Sequence, residues 1–397
     1  MATPQETAAS AGYRPSLLAY LSDAESVQAC GQCLDELKLP GSEVRRGDVE
    51  TAIAYLAANR SPQILIVDIS GAELPLSAIN RLADVCEPNV QLIAVGDRND
   101  VALYRDLTHL GVTDYLVKPV PPAVLRKALT AGARPQGDRS PRKQGKLVAV
   151  AGARGGVGTS MLAANLSWVL ANRSKRRVAL LDLDLYNGDC ALLLGAEPTT
   201  GLREALETPE RVDSLFVERT MTRCGDNLFV MNSETRLDAP LNFAPEAADP
   251  LLEVLRTQFH YVIVDLPRTL QRIHHRVIES ANVRVVVADL TLRSLRDTVR
   301  LMGHFGPDSE AARSLVVINR RGEYTGAEIP LEEFSKAIQH TPRHVIPFDP
   351  KAMINAANMG KPAAGSRGRL SDTLVALSAD IGGQVPERSR WSLRLFK

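Results

Sequence analysis

The sequence has no run of about 18 apolar residues free of charge, which is the length a membrane-spanning helix needs. Its first eleven residues also lack a basic stretch followed by an apolar core, the pattern of a secretory signal. Cysteine is scarce, with five residues in 397, which fits a reducing compartment. We therefore predict a cytoplasmic protein.

Cys30 and Cys33 have the spacing of a redox pair or of half a zinc site. They lie inside a predicted helix, residues 26–37, and no second cysteine or histidine pair stands at a metal-ligand spacing. A structural role is favoured.

A large excess of one charge is missing as well, since 47 basic residues face 46 acidic ones. Such a chain has no overall field to attract nucleic acid, so contact with DNA or an anionic membrane would need a local patch. Nucleic acid is not expected as a partner. The length of 397 residues exceeds one ordinary core and indicates two domains.

The strongest motif is a glycine-rich stretch that joins an apolar strand, residues 147–151, to a helix-forming run, residues 161–171. Three glycines in four positions allow backbone conformations closed to other residues, so successive N–H groups can point at phosphate oxygens beside a helix N-terminus. The pattern predicts a phosphate-binding loop. The residues predicted to contact the nucleotide are Gly155, Gly156, Val157, Gly158, Thr159 and Ser160.

The loop departs from the ordinary P-loop at one position. Ser160 stands where a hydroxyl ligates Mg²⁺, but Thr159 occupies the preceding position, which normally holds lysine. Another residue must then balance the phosphate charge. We expect ATP and Mg²⁺ as cofactors, and weak or absent ATPase activity.

The run Arg154-Gly155-Gly156-Val157-Gly158 resembles the deviant Walker A motif of the ParA/MinD family. In that family a signature lysine precedes the two glycines and reaches the nucleotide across a sandwich dimer. The resemblance implies a homodimer and the same phosphate contact in trans for Arg154, which keeps the positive charge. An arginine held by an acid of its own chain is the alternative.

Two further apolar strands end in acids, the first in Asp182 and Asp184 and the second in Asp265. By resemblance to the ParA/MinD family, Asp184 positions the attacking water. The same resemblance implies that Asp182, Asp184 and Asp265 hold Mg²⁺ together with Ser160, partly through water. For Asp182, capping of the next turn is a plausible alternative.

A later strand is followed by Asn319 and Arg320, which match the adenine-contacting position of the family. An amide side chain can both donate to and accept from a base. Pro347, in an Ile-Pro-Phe-Asp-Pro run, recurs in the same order as in MinD-like proteins and joins the predicted cofactor-binding residues. The resemblance covers nearly all of residues 146–380.

Residues 14–132 alternate short apolar strands with helices, which indicates a parallel sheet covered on both faces. The pattern resembles a response-regulator receiver domain, with Asp68 at the phosphoacceptor position and Lys118 at the family's lysine. Receivers hold Mg²⁺ with paired acids after the first strand, whereas here only Asp23 follows it. We therefore expect an ion pair at Asp68 rather than phosphorylation.

The predicted fold class is α/β, with two doubly wound domains. The N-terminal one is a flavodoxin-like receiver and the C-terminal one is a MinD-like P-loop domain with a mostly parallel sheet. The predicted segments are residues 14–132 (receiver-like), 133–145 (linker), 146–385 (nucleotide-binding) and 386–397 (basic amphipathic tail). The tail is similar in composition to the membrane-targeting helix of MinD, which implies peripheral membrane contact. A disordered tail and a partner-binding peptide are the alternatives.

Together the two halves resemble the TadZ/CpaE family of pilus-assembly proteins. The resemblance implies a nucleotide-gated scaffold at a cell pole, peripheral on the inner membrane. Its partners would be the pilus secretion ATPase and other Tad/Flp assembly proteins of type IVb pili. Two alternatives stay open: an actively cycling ParA/MinD-like ATPase that positions DNA or a division site, and a phosphorelay receiver output protein.

Overall fold

The computed structural model describes residues 14–131, 144–309 and 311–383. The chain divides into two compact units, Met1–Gln144 and Gly145–Lys397, each with its own hydrophobic core. The predicted tail and nearly all of the predicted linker lie outside the described residues. Within the described part, no helix is both long and apolar enough to cross a membrane.

The first unit is a five-stranded parallel sheet in the order β2-β1-β3-β4-β5, which is the flavodoxin-like doubly wound order. Its elements are β1 (Leu17–Leu21), α1 (Ala24–Leu37), β2 (Ser42–Arg46), α2 (Val49–Leu56), β3 (Ile64–Asp68), α3 (Pro75–Val85), β4 (Gln91–Gly96), α4 (Val101–His109), β5 (Asp114–Val117) and α5 (Pro122–Ala131).

Alternate residues of the central strands supply two separate cores in this unit. Leu18 and Tyr20 of β1 face the core that includes residues of α2, α3 and α4, whereas Leu17 and Ala19 face the core that includes residues of α1 and α5. Burial on both faces explains why these strands read as continuous apolar runs. The predicted receiver-like alternation of strands and helices is thus present.

Two cysteines of α1 lie in the second of these cores. Cys30 and Cys33 are both fully buried, and the Cys33 thiol donates to the carbonyl of Pro122 at 3.1 Å. Burial raises the pKa of Cys30 to about 12, so this thiol stays protonated at neutral pH. The pair therefore has the structural role that its helical position predicts.

The second unit is built on an eight-stranded sheet in the order β13-β12-β11-β6-β10-β7-β9-β8, in which only the β8–β9 pair is antiparallel. Its elements are β6 (Lys146–Gly152), α6 (Thr159–Asn172), β7 (Val178–Asp182), α7 (Cys190–Leu193), α8 (Gly201–Glu207), α9 (Ser214–Thr220), β8 (Thr222–Arg223), β9 (Leu228–Met231), α10 (Ala248–Gln258), β10 (Tyr261–Asp265), α11 (Arg272–Ser280), β11 (Val283–Ala288), α12 (Leu292–Phe305), β12 (Arg313–Arg321), α13 (Leu331–Ile338), β13 (His344–Pro347), α14 (Pro350–Asn358) and α15 (Arg369–Gly382), with short 3₁₀ turns at Pro209–Arg211 and Ala363–Gly365.

The parallel register of this sheet brings the predicted motifs to one edge. β10 pairs with β6 on one side and with β7 on the other, so Asp265 lies opposite both Val150 and Asp182. β11 pairs with the other side of β6. The carboxyl ends of these four strands therefore meet where doubly wound folds bind their ligands.

Candidate nucleotide and metal site

The glycine-rich loop lies between the end of β6 and the start of α6. Gly156 and Gly158 adopt φ angles of +77° and +93°, a left-handed conformation that only glycine adopts without strain. Gly158 is the N-cap of α6, whose first residues, Thr159 and Ser160, have backbone N–H groups with no helical acceptor. The loop thus has the turn and the helix start that bind phosphate in proteins.

Thr159 packs against the base of the loop. A Cβ atom built on Gly152 would lie 2.2 Å from the Thr159 hydroxyl, so the two residues are in close contact. A short neutral side chain therefore fills the place of the usual lysine, and it adds no positive charge.

Three arginines lie around the loop instead. Arg154 donates to the carbonyl of Gly155 at 3.0 Å, and Arg320 donates to the carbonyl of Gly156 at 2.6 Å. The Cδ atom of Arg268 lies 3.7 Å from a Cβ position built on Gly155. Each of the three also pairs with an acid, Asp289, Glu323 and Asp297 respectively, so cationic side chains border the loop but their charge is already met within the chain.

Arg154 is held by an acid of its own chain. Its guanidinium forms a salt bridge with Asp289, which is 2% exposed and also accepts a hydrogen bond from the Thr291 hydroxyl at 2.7 Å. The hydrogen bond to Asp289 raises the pKa of Arg154 above its usual value. In the single chain, Arg154 is thus held by an acid of its own chain, as the alternative states. Its contact with a nucleotide bound to a second copy stays a prediction. Asp289 was not among the predicted site residues, although it follows the buried strand β11 just as Asp265 ends β10.

Asp182 organises the turn that follows β7. Its Oδ1 accepts from the backbone N–H of Asp184 at 3.2 Å and its Oδ2 accepts from that of Cys190 at 2.9 Å. Gly188 lies directly against the carboxylate, since a Cβ built there would come within 2.5 Å of Oδ2. The turn-capping alternative is therefore correct for Asp182, and each oxygen keeps a further lone pair for a cation.

Asp265 is the least satisfied group of the site. It accepts a hydrogen bond from the Ser160 hydroxyl and lies 3.5 Å from the Cys190 thiol through Oδ2, but its Oδ1 is buried without a partner among the described residues. Burial, and then the neighbouring charge of Asp182, raise its pKa well above the usual value. Burial likewise raises the pKa of Asp182 to about 6. This oxygen set suits Mg²⁺, which would supply the missing counter-charge.

Asp184 is half-buried beside this pair, and its Oδ1 accepts from the backbone N–H of Asn187 at 3.0 Å. His274 of α11 hydrogen-bonds the backbone of Leu183, between the two acids, while its Nδ1 accepts from the N–H of Gln271 at 2.8 Å. Burial lowers the pKa of His274 to about 4, so its imidazole is neutral at pH 7 and holds this segment through its hydrogen bonds. No pattern in the sequence indicated a role for this histidine.

The predicted adenine-contacting residues pack on the loop itself. Asn319 donates through Nδ2 to the carbonyl of Val157 at 2.9 Å, and its Oδ1 accepts from the N–H of Arg320 at 2.9 Å. A Cβ on Gly158 would lie 2.5 Å from Asn319 Nδ2. Pro347 ends β13, which pairs with β12. Contact of these residues with a base stays a prediction.

In the first unit, both carboxylate oxygens of Asp68 accept hydrogen bonds from the same chain. Asp68, 1% exposed, accepts from the N–H groups of Ser22 and Ser70 at 3.0 Å, from both serine hydroxyls and from Lys118, which also pairs with Asp23 at 2.7 Å. The predicted ion pair between Asp68 and Lys118 is thus present. The peptide bond from Lys118 to Pro119 is cis.

Comparisons with known proteins agree with the geometry of the second unit. Residues 143–227 match the family model of ParA, described as a NUBPL iron-transfer P-loop NTPase. The septum site-determining protein MinD of Bacillus subtilis is 25% identical over 224 residues, which cover 55% of this chain and 82% of that protein. The MinD of Pyrococcus horikoshii, solved with Mg-ADP, superposes with a TM-score of 0.52 at 20% identity and covers 59% of this chain and 95% of its own.

A pilus assembly protein CpaE from Caulobacter crescentus is 29% identical and covers 30% of this chain and 94% of its own, with a TM-score of 0.28. That likeness covers too little of the chain to identify the whole protein. The second unit is a MinD/ParA-like P-loop domain, and the first is an additional α/β domain that precedes it.

Proposed function

We propose that the second unit binds ATP with Mg²⁺, that the ATP-bound form is a homodimer, and that this dimer is a scaffold for Flp/Tad type IVb pilus assembly at a cell pole. The observation that carries the proposal is the loop of residues 154–160. Its left-handed glycines and free helix start suit a triphosphate, and it lies beside a buried carboxylate, Asp265, that lacks a counter-charge.

In the bound form, the N–H groups of residues 155–160 would hold phosphate oxygens. Ser160, Asp182 and Asp265 offer the hydroxyl and carboxylate oxygens that would hold the cation, directly or through water. Bound Mg²⁺ supplies the positive charge that phosphates and acids share. Asp184, which is half-buried beside them, would orient water for hydrolysis. We expect slow turnover, because Thr159 stabilises no charge that develops on the phosphates.

Dimerisation would exchange the partners of Arg154. In the single chain its guanidinium is bound to Asp289. Reaching a nucleotide held by a second copy would replace that carboxylate with phosphate oxygens, which accept the same two-pronged hydrogen bonding. ATP binding and dimerisation are then linked, since each bound nucleotide stabilises the paired form.

The role in pilus assembly is proposed for the whole chain, with both units. It is supported by the order of the two units and by the occupied state of Asp68, which leaves no free carboxylate oxygen for a phosphorelay. Its partners would be the pilus secretion ATPase and other Tad/Flp assembly proteins, with peripheral membrane contact through residues 386–397. A cycling ATPase that positions DNA or a division site is the competing proposal.

Sedimentation velocity with and without Mg·ATP tests the proposal. The test variant is the double substitution Arg154→Ala/Asp289→Asn, which removes the arginine without leaving a buried unpaired carboxylate. Arg81→Ala/Glu50→Gln, which removes an exposed ion pair of the first unit, is the matched control. We expect ATP to dimerise the wild type and the control but not the test variant.

Dimerisation of the test variant equal to that of the wild type would show that Arg154 does not act in trans. Phosphate release measured in the same samples separates the scaffold from the cycling ATPase. Brisk release that Asp184→Ala abolishes would favour the latter. In cells that carry only the test variant, the variant should form no focus at the pole and Flp pili should be lost. A persisting focus together with assembled pili would count against the pilus role.

A further inference from the structure

Cys190 places a thiol inside the acid cluster at the end of β7 and β10. It is fully buried, and its Sγ lies 3.5 Å from Oδ2 of Asp265. Asp182, Cys190 and Asp265 each present one donor atom, and the three atoms lie within 4.8 Å of one another. This is the one group of three or more potential metal ligands found among the described residues.

The cluster lacks a positive partner. No lysine or arginine of the described residues forms an ion pair with Asp182 or Asp265, and Oδ1 of Asp265 is buried without a hydrogen bond. Two adjacent buried carboxylates with no counter-ion are costly. One divalent cation could be bound by three neighbouring groups: the unpartnered oxygen of Asp265, the carboxylate of Asp182 and the thiol of Cys190.

We infer that Asp182, Cys190 and Asp265 form a binding site for a thiophilic divalent cation such as Zn²⁺ or Co²⁺. Two carboxylate oxygens and one sulfur give three protein ligands, and water completes a tetrahedral set. Sulfur favours these ions over Mg²⁺, which prefers oxygen ligands throughout. On binding, the S–H bond of Cys190 breaks, its proton passes to solvent, and the sulfur electron pair forms the bond to the metal. No oxidant or reductant is involved.

The cation site needs no bound nucleotide, because all three ligands are side chains of one chain. It overlaps the site of the proposed function, since Asp182 and Asp265 are also expected to serve Mg²⁺. A soft cation held at Cys190 would compete with Mg²⁺ for these two carboxylates. Loss of one kind of cation binding need not abolish the other, so the two proposals are separable.

Titration of the reduced, nucleotide-free full-length protein with Co²⁺ tests the site. We expect one sulfur-ligated Co²⁺ per chain, with tetrahedral visible bands and a near-ultraviolet charge-transfer band that arises only from sulfur ligation. Cys190→Ser should lose the charge-transfer band and bind Zn²⁺ at least about tenfold more weakly. It should retain Mg·ATP binding, because the carboxylates remain.

Three of the other thiols and an exposed histidine pair provide the controls. Cys30→Ser/Cys33→Ser and Cys224→Ser should each keep the charge-transfer band. His275 and His304 approach to 2.7 Å and offer a competing cobalt site, but a metal bound there gives no sulfur band. Absence of Co²⁺ binding by the wild type, binding without the sulfur band, or a band that persists in Cys190→Ser would each overturn the inference.

Discussion

Each unit buries an aspartate at the carboxyl end of a central parallel strand, Asp68 in β3 and Asp265 in β10, and the two residues are 1% and 2% exposed. Burial alone pushes both pKa values upward. At Asp68, hydrogen bonds from Lys118, Ser22 and Ser70 more than offset burial and hold the pKa at about 2. At Asp265 burial prevails, because no described cation pairs with it, and the pKa is raised.

The difference shows that strand-end position does not define the role of an acid; its surroundings do. Asp68 receives all its donors from its own chain, so it stabilises the unit and has no vacant coordination for a ligand. Asp265 lacks such donors on Oδ1, so its charge must be met by something added from solution. Four predictions test this contrast.

The largest effect should come from removing the added cation. Chelation of Mg²⁺, or Asp265→Asn, is expected to weaken ATP binding at least about 100-fold, on the order of 3 kcal/mol, because no lysine at position 159 shares the charge. Isothermal titration calorimetry measures this. Asp226→Asn, at a side chain 93% exposed, should bind ATP like the wild type. Equal ATP affinity with and without chelator would show that Asp265, like Asp68, needs no added cation.

A smaller effect is expected when Asp68 loses its charge. Asp68→Asn removes the charge that pairs with Lys118 and replaces one of the two acceptor oxygens by an NH2 donor, which should destabilise the first unit by about 2 kcal/mol. Hydrogen exchange of peptides from β1 and β3 would report it, with the exposed Asp97→Asn as control.

Unchanged hydrogen exchange in Asp68→Asn would mean that the hydrogen bonds and the ion pair of Asp68 do not stabilise the first unit. Acetyl phosphate should add no mass to the wild type, because both carboxylate oxygens of Asp68 already accept several hydrogen bonds. A stoichiometric phosphoryl adduct would make the first unit a working receiver.

The smallest effect concerns pH. Because the folded pKa of Asp182 is about 6 against a usual 3.8, its ionisation destabilises the fold above pH 6, and the penalty disappears as the pH falls toward 4. Without divalent cations, the stability advantage of Asp182→Asn over wild type should shrink by about 1 kcal/mol between pH 7.5 and 5.

His274 opposes this trend, because its folded pKa of about 4 lies below the usual 6.5 and costs stability as the pH falls through that range. It is present in both proteins, so its contribution cancels in the difference. Urea unfolding followed by the fluorescence of the two tryptophans, Trp168 and Trp391, measures the comparison. A pH-independent difference would show that Asp182 is ionised throughout this range.

The sequence predicted those strands and helices whose own residues show a clear hydrophobic pattern. The central strands of both sheets are buried on both faces and therefore read as apolar runs, as β3 and β10 do. β2 gave no such signal, because Ser42–Arg46 is a polar edge strand that is fixed only by its pairing with β1. No strand was therefore predicted at these residues.

The sequence by itself determined the doubly wound class, the glycine loop with threonine in place of lysine, and the acids at strand ends. Each of these follows from local spacing, backbone freedom or side-chain type. Only the tertiary structure decided which acid has a partner. Lys118 reaches Asp68 from 50 residues away and Asp289 holds Arg154 from 135 residues away. Cys190 meets Asp265 at the start of α7, where its own backbone N–H is bound by Asp182. Charge compensation depends on distances across the sheet, and these are set by register and packing rather than by neighbours in the chain.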